Sequence, residues 1–150
     1  MNKLLFLDTN ILVYSKDEAS PFFGQVCEAL KGLVLKGIDL CINRQVLREY
    51  ACVVTRPPPR GLGAGIERAL KEISEFETAY RVLQHPQNVW QHWKRLAKTS
   101  GLTGLRLHDA YIAAVMVGHG INSILTLNTK DFQGLQGIRP VKPEQWQEIT

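Results

Sequence analysis

The sequence is poor in cysteine, in long apolar runs and, over one stretch, in acid. Its three cysteines, Cys27, Cys41 and Cys52, form no CxxC pair and leave an odd count. That argues against a disulfide framework or a thiolate metal site, and for reduced thiols used as small apolar fillers in a cytoplasmic protein. No apolar run approaches the ~18 residues of a membrane-spanning helix. The first residues lack the basic region and small-residue cleavage site of a secretory signal, so no membrane association is expected. The four histidines, His85, His92, His108 and His119, show no HxxxH spacing. There is no GxxxxGKS/T loop, no GxGxxG after the first strand and no GxSxG elbow, which removes the commonest nucleotide-binding and serine-hydrolase readings. No Asp or Glu occurs from Thr78 through His108, where Arg81, Lys94, Arg95, Lys98 and Arg106 fall. A second basic group is Arg44, Arg48, Arg56, Arg60, Arg68 and Lys71. Solvated helix faces explain such groups, and so does a surface that attracts a phosphate backbone. Charge alone does not choose between them.

What is present suits one domain over residues 1–150. A chain this long buries roughly 68–70% of its unfolded surface, enough for a core without staples. Residues 3–7 read as a buried strand, 38–42 as a second, 80–83 as a third, 123–127 as a fourth, and 138–141 as a weak edge strand limited by Pro140. Helices are predicted over 21–36, ended by Gly37, and over 44–55, capped by Asn43. Further helices are predicted over 65–79, over 86–99 with Pro86 in its first turn, and over 109–120. The Pro/Gly stretch 56–65 reads as an exposed loop. Apolar rather than alternating strands imply a sheet covered on both faces. The expected fold is α/β, a three-layer α/β/α sandwich around a mostly parallel sheet of four to five strands.

Ligands of such sheets bind beyond the carboxyl ends of the strands. Asp8 follows strand one, Asn128 and Asp131 follow the 123–127 strand, and Asp109 opens the helix that feeds it. Taken singly, Asp8 and Asp109 read more readily as helix caps, and Asn128 and Asp131 could be turn residues. Glu49 is harder to explain structurally. It shares a helix face with Val46 and Val53, and neither Gln45 nor Cys52 offers it a positive partner. Taken together, clustered carboxylates repel unless a cation joins them, and all-oxygen sites select hard ions such as Mg²⁺ or Mn²⁺. Beside basic surface, that chemistry suits phosphodiester hydrolysis. Trp90 and Trp93, three apart, read mainly as packing residues, with base stacking as the alternative.

Four stretches in order, LLFLDTNILVY, QVLREY, LHDAYIAA and ILTLNTKDF, resemble the PIN domain family, and especially its VapC-like ribonuclease toxins. The resemblance covers nearly the whole chain. It implies a PIN-like fold and an acidic centre of Asp8, Glu49 and Asp109, with Asp8 and Asp109 as direct metal ligands. Glu49 would bind metal directly, bind it through water, or orient the nucleophile. Thr9, Asn10 and Thr126 would be supporting hydrogen-bonding groups. The departure is Asn128, where many members carry aspartate; Asp131 either supplies the missing charge or only fixes the turn. The resemblance further implies an RNA substrate cut to a 5′ phosphate and 3′ hydroxyl, a small antitoxin partner and a homodimer. The expected activity is thus metal-dependent endoribonuclease. Two alternatives stand beside it. One is an inactive PIN-fold module that only binds RNA. The other is a phosphatase with Asp8 as nucleophile, which would want a second Asp where Asn10 stands and a late lysine, for which Lys130 is available.

Overall fold

The computed structural model describes residues 3–150. Five parallel strands form one sheet in the order β3-β2-β1-β4-β5. They are β1 (Leu4–Leu7), β2 (Asp39–Asn43), β3 (Arg81–Leu83), β4 (Ser123–Leu125) and β5 (Arg139–Val141). The helices are α1 (Thr9–Lys16), α2 (Phe23–Leu35), α3 (Arg44–Thr55), α4 (Ile66–Ala79), α5 (Val89–Thr99) and α6 (Arg106–Gly118), with short 3₁₀ segments at Thr129–Asp131 and Pro143–Glu148. The chain steps outward from β1 through β2 to β3, then returns past β1 to β4. Right-handed crossovers therefore put α1 to α4 on one face and α5 and α6 on the other. The helix contacts agree: α1 packs on α2 and α3, α3 on α4, and α5 on α6. The layout is the expected three-layer sandwich, and every strand pair is parallel. The reversal leaves a crevice between the ends of β1 and β4, the position where open α/β sheets bind ligands.

The apolar strands are buried because both faces are covered. Leu5, Phe6, Leu7, Ile124 and Leu125 have no exposed surface. Pro140 sits on edge strand β5 opposite Ile124, where its missing N–H costs no interior ladder bond.

Among the boundaries that differ from the sequence reading, three have a clear local cause. Helix α5 starts at Val89, after Asn88 in a left-handed conformation at φ 69°. Pro86 precedes the helix and lies where a side chain at Gly118 would be. Helix α6 starts at Arg106, because the turn at Gly104 (φ 62°) already donates Leu107 N–H to the Gly104 carbonyl. Asp109 thus lies in the first turn of the helix and does not cap it. Strand β4 ends at Leu125 rather than 127. The Leu127 N–H goes to Asn10 Oδ1 and the Asn128 N–H to Thr126 Oγ1, so side chains take the donors a longer ladder would use.

The C-terminal 3₁₀ segment, absent from the sequence reading, closes the fold over α2. Trp146 occupies the space a side chain at Gly32 would need. Gly32→Ala is therefore expected to destabilise the protein by ~1–3 kcal/mol through overpacking. Urea titration read by tryptophan fluorescence measures it, and an unchanged midpoint would show that the 3₁₀ segment shifts freely.

Candidate active site

Asp8 stands where β1 leaves the sheet. Its N–H still donates to the Leu125 carbonyl at 3.0 Å, continuing the ladder to β4. Asp8 is 9% exposed, and its carboxylate is held on both oxygens. Oδ1 accepts from Thr9 N–H at 2.8 Å, which makes Asp8 the N-cap of α1. Oδ2 accepts from the Thr126 hydroxyl at 2.7 Å and from the Asn10 amide at 3.2 Å. The cap reading and the site reading of Asp8 therefore describe the same residue.

Thr126 and Asn10 form the clamp across the crevice. Thr126 is fully buried at the end of β4, and its Oγ1 accepts from Asn128 N–H at 3.0 Å and from Asn10 Nδ2 at 3.3 Å. Asn10 Oδ1 accepts from Leu127 N–H at 3.2 Å. Both ends of the Asn10 amide are committed to these hydrogen bonds, which tie it to Asp8, Thr126 and Leu127.

Glu49 approaches from α3, half-buried. Its Oε2 accepts from the Thr9 hydroxyl at 2.8 Å and its Oε1 from Gln45 Nε2 at 3.2 Å. The same Gln45 nitrogen reaches the His108 carbonyl at 3.3 Å, tying α3 to the start of α6. No cation pairs with Glu49 among the described residues, as the sequence spacing predicts. The sequence reading took Gln45 only as a neighbour of Glu49 without positive charge. Its signal was its place one turn before Glu49, an i,i+4 pair.

Asp109 and Asp131 complete the rim. Neither carboxylate has a hydrogen-bond or salt-bridge partner among the described residues. The segment bearing Asp131 is fixed by Arg106, whose guanidinium donates to the carbonyls of Asp131 at 3.4 Å and Gln133 at 3.3 Å. Arg106, read from the sequence only as basic surface, is thus a structural tie. Asn128 lies between Thr126 and Asp131 and faces the same space. One cleft of about 430 Å³ is bordered by Asp8, Glu49, Asp109, Asn128 and Asp131 together with Thr9 and Asn10. Arg56, at the start of the Pro/Gly loop, adds a positive charge to its wall.

The electrostatics follow from this crowding. Burial raises the Asp8 carboxyl to about 6, against the hydrogen bonds from Thr126 and Thr9 and with help from Glu49 and Asp131. Burial first, then Asp131, Asp8 and Glu49, raise Asp109 to about 7, with Arg106 opposing. Both acids therefore bind protons more tightly folded than unfolded. Their contribution to stability is present below about pH 4 and is lost as pH rises through 6 to 7. In EDTA, Asp109→Asn should match the parent melting temperature near pH 4 and exceed it increasingly toward pH 8. A constant difference across that range in calorimetry would contradict the cause assigned here.

An all-oxygen, charge-rich cleft fits a hard divalent cation in its donor chemistry. Among the described residues, no group of three or more His, Cys, Asp or Glu side chains is arranged to hold a metal ion by itself. Mg²⁺ does not require that, because it retains several waters and takes only one or two carboxylates directly. No helix among the described residues is long and apolar enough to cross a membrane.

Comparison with known proteins identifies the family of the fold. The PIN domain model matches residues 5–137. Ribonuclease VapC48 of Mycobacterium tuberculosis is 30% identical over 135 residues, covering 88% of this chain and 92% of the relative. In solved structures the fold is shared with VapBC-1 from nontypeable Haemophilus influenzae, at TM-score 0.70 and 19% identity over 94% of this chain and 98% of that one. It is also shared with a toxin–antitoxin complex from Klebsiella pneumoniae, at TM-score 0.64 and 22% identity over 93% and 97% of the two chains. The matched span holds every acidic residue of the cleft, from Asp8 at the end of the first strand to Asp131 beyond the fourth, and on that match the chain belongs to the PIN domain family, in the branch of the VapC ribonucleases.

Proposed function

We propose that this protein is a divalent-metal-dependent endoribonuclease that hydrolyses RNA phosphodiester bonds. The observation that carries the reading is the convergence of Asp8, Glu49, Asp109 and Asp131, from four separate segments, on one cleft at the sheet's switch point. The raised pKa values of Asp8 and Asp109, caused first by burial and then by neighbouring carboxylates, support it, because a bound cation would favour the ionised form of each. The name of the relative VapC48 as a ribonuclease supports RNA as the substrate.

Asp8 and Asp109 would hold Mg²⁺ or Mn²⁺ directly. When bound, the ion polarises a phosphoryl oxygen and lowers the pKa of its water. Glu49, anchored by Thr9 and Gln45, would accept a proton from the attacking water or orient it. Asp131 would supply the charge that Asn128 lacks. Thr9, Asn10 and Thr126 would keep the acids in place, so that the catalytic groups are arranged before substrate arrives. Arg56 would draw the phosphate backbone in. No covalent intermediate is needed, since positioning and electrostatics suffice.

The toxin–antitoxin complex among the fold's relatives supports an antitoxin partner for this chain, and a homodimer is proposed beside it on the family resemblance alone.

Purified protein incubated with single-stranded RNA tests the reading. Cleavage should vanish in EDTA and return with Mg²⁺ or Mn²⁺. Asn128 favours a second reading, an inactive module that only binds RNA, because a neutral amide stands where the family commonly places an acid. Salt-dependent RNA binding with no metal-dependent cleavage would select that module instead.

A further inference from the structure

Four acids border the cleft, and among the described residues Arg56 is the one basic side chain on its wall. Arg56 is the C-cap of α3, one turn after Cys52 and two after Glu49. Positions 49, 52, 53 and 56 fall on one stripe of the helix, and all four line the cleft. Arg56 is exposed, and its guanidinium has no hydrogen-bond or salt-bridge partner among the described residues. The charges that act on the Asp8 and Asp109 carboxyls are the neighbouring acids and, for Asp109, Arg106. Arg56 therefore shares the wall of the acidic centre without neutralising it.

A cation at a helix C-terminus is favoured by the helix dipole, which accounts for the charge alone. The backbone beneath it is also fixed. Past Arg56 the chain turns back over the end of α3. Gly63 N–H donates to the Arg56 carbonyl at 2.8 Å, and Ala64 N–H to the Val54 carbonyl at 2.9 Å. A side chain at Gly61 would run into the Arg56 and Val53 carbonyls and the Arg56 Cβ. The Pro/Gly stretch is thus a closed turn that holds Arg56 at the mouth of the cleft.

We propose that Arg56 holds a phosphate of the RNA strand that flanks the one being cut. The inference rests on the ribonuclease reading and gives the cleft a substrate preference, for strands with a phosphate beyond the scissile linkage over a bare dinucleotide. A guanidinium pairs with phosphate through two parallel N–H donors. A second phosphate lying along the acid-lined wall needs a positive partner there, and Arg56 is the side chain that offers one. Its fixed backbone reduces the freedom lost when the pair forms. The same guanidinium could meet a carboxylate of a protein partner. Continuity with the acidic centre, where the strand must already lie, favours the strand.

Two measurements on the full chain test this. The first follows binding of a short single-stranded RNA in EDTA against salt. Arg56→Ala should reduce the slope of log affinity against log salt by about 0.7, the share of one phosphate contact on a single strand. Arg56→Lys should keep the slope, and so should Arg60→Ala, which lies in the same loop but does not line the cleft. The second uses Mg²⁺ and the same RNA with one neutral methylphosphonate linkage on either side of the mapped cut. In the parent, one of the two should raise KM about 10-fold or more with kcat little changed, as loss of a charged hydrogen bond in binding does. In Arg56→Ala that linkage should make no further difference. An unchanged salt slope in Arg56→Ala, an equal fall in Arg60→Ala, or a KM penalty that survives in Arg56→Ala would each overturn the proposal. Absence of metal-dependent cleavage in the parent would instead strike the ribonuclease reading, and the salt slope still reads the phosphate contact.

Discussion

Asp109→Asn is expected to lower Mg²⁺-dependent RNA cleavage by roughly 10²–10³-fold or more, the scale of losing one group that stabilises charge in the transition state. The substitution keeps size and shape and removes only ionisation. Asp109 does not cap α6, and its carboxylate has no hydrogen-bond partner among the described residues, so no structural contact is lost. Its surroundings already resist ionisation, through burial and through Asp131, Asp8 and Glu49. The favourable position of an acid in a helix's first turn is worth only ~0.3–1 kcal/mol. Without metal, therefore, the variant should be at least as stable as its parent at pH 8. Lost activity in a protein of undiminished stability separates a chemical role from a structural one. A metal titration followed by calorimetry should show Mg²⁺ stabilising the parent more than the variant. Full cleavage by both Asp109→Asn and Asp8→Asn would reject the mechanism.

Thr126→Val should reduce cleavage by about 10- to 100-fold, as loss of a group that orients a ligand commonly does. It is also expected to destabilise the fold by ~1–3 kcal/mol, because buried polar groups lose their partner. Valine fills the same space at a site with no exposed surface, so volume is not the cause. The Thr126 hydroxyl is the strongest influence holding the Asp8 pKa down. Its removal should raise that pKa further and move the acidic limb of the pH–rate profile upward. The substitution also leaves the Asn128 N–H without its acceptor. Thr126→Ser keeps the hydroxyl and should restore most activity. If Thr126→Val loses stability but its pH–rate profile stays in place, Thr126 only stabilises the turn and does not position Asp8.

Much of this molecule was legible in its sequence. The apolar runs KLLFL, IDLCI and SILTL place three of the strands to within two residues, because a strand covered on both faces needs no polar alternation. Asn43 caps α3 by accepting from Val46 N–H at 3.0 Å, as its residue type predicts. Gly37, at φ 78°, ends the α2 region for the reason glycine usually does. The boundaries that slipped are those where a turn overrode local preference. Pro86 is suited to a first helical turn, yet the left-handed Asn88 delays α5 by three residues. Gly104 starts α6 three residues early and moves Asp109 inward from the cap.

The candidate site was legible as residue types and order. Asp8, Glu49 and Asp109 stood out because each is a carboxylate next to apolar sequence, where an acid is costly without a partner. The ties between them were not legible. The reach of Thr126 to Asp8 spans 118 positions and that of Thr9 to Glu49 spans 40. Gln45 and Arg106 looked like ordinary surface residues, and nothing local marks them as the links from α3 to α6 and from α6 to the Asp131 segment.

Sequence alone determined the alternation of strand and helix, the burial of the sheet on both faces, and the identity of the acids, because periodicity, capping and charge are local properties. Only the tertiary structure decided that β1 and β4 lie side by side and that Arg56 borders the acidic cleft. Those outcomes depend on which distant segments fill the space around each side chain, and no window of neighbouring residues contains that information.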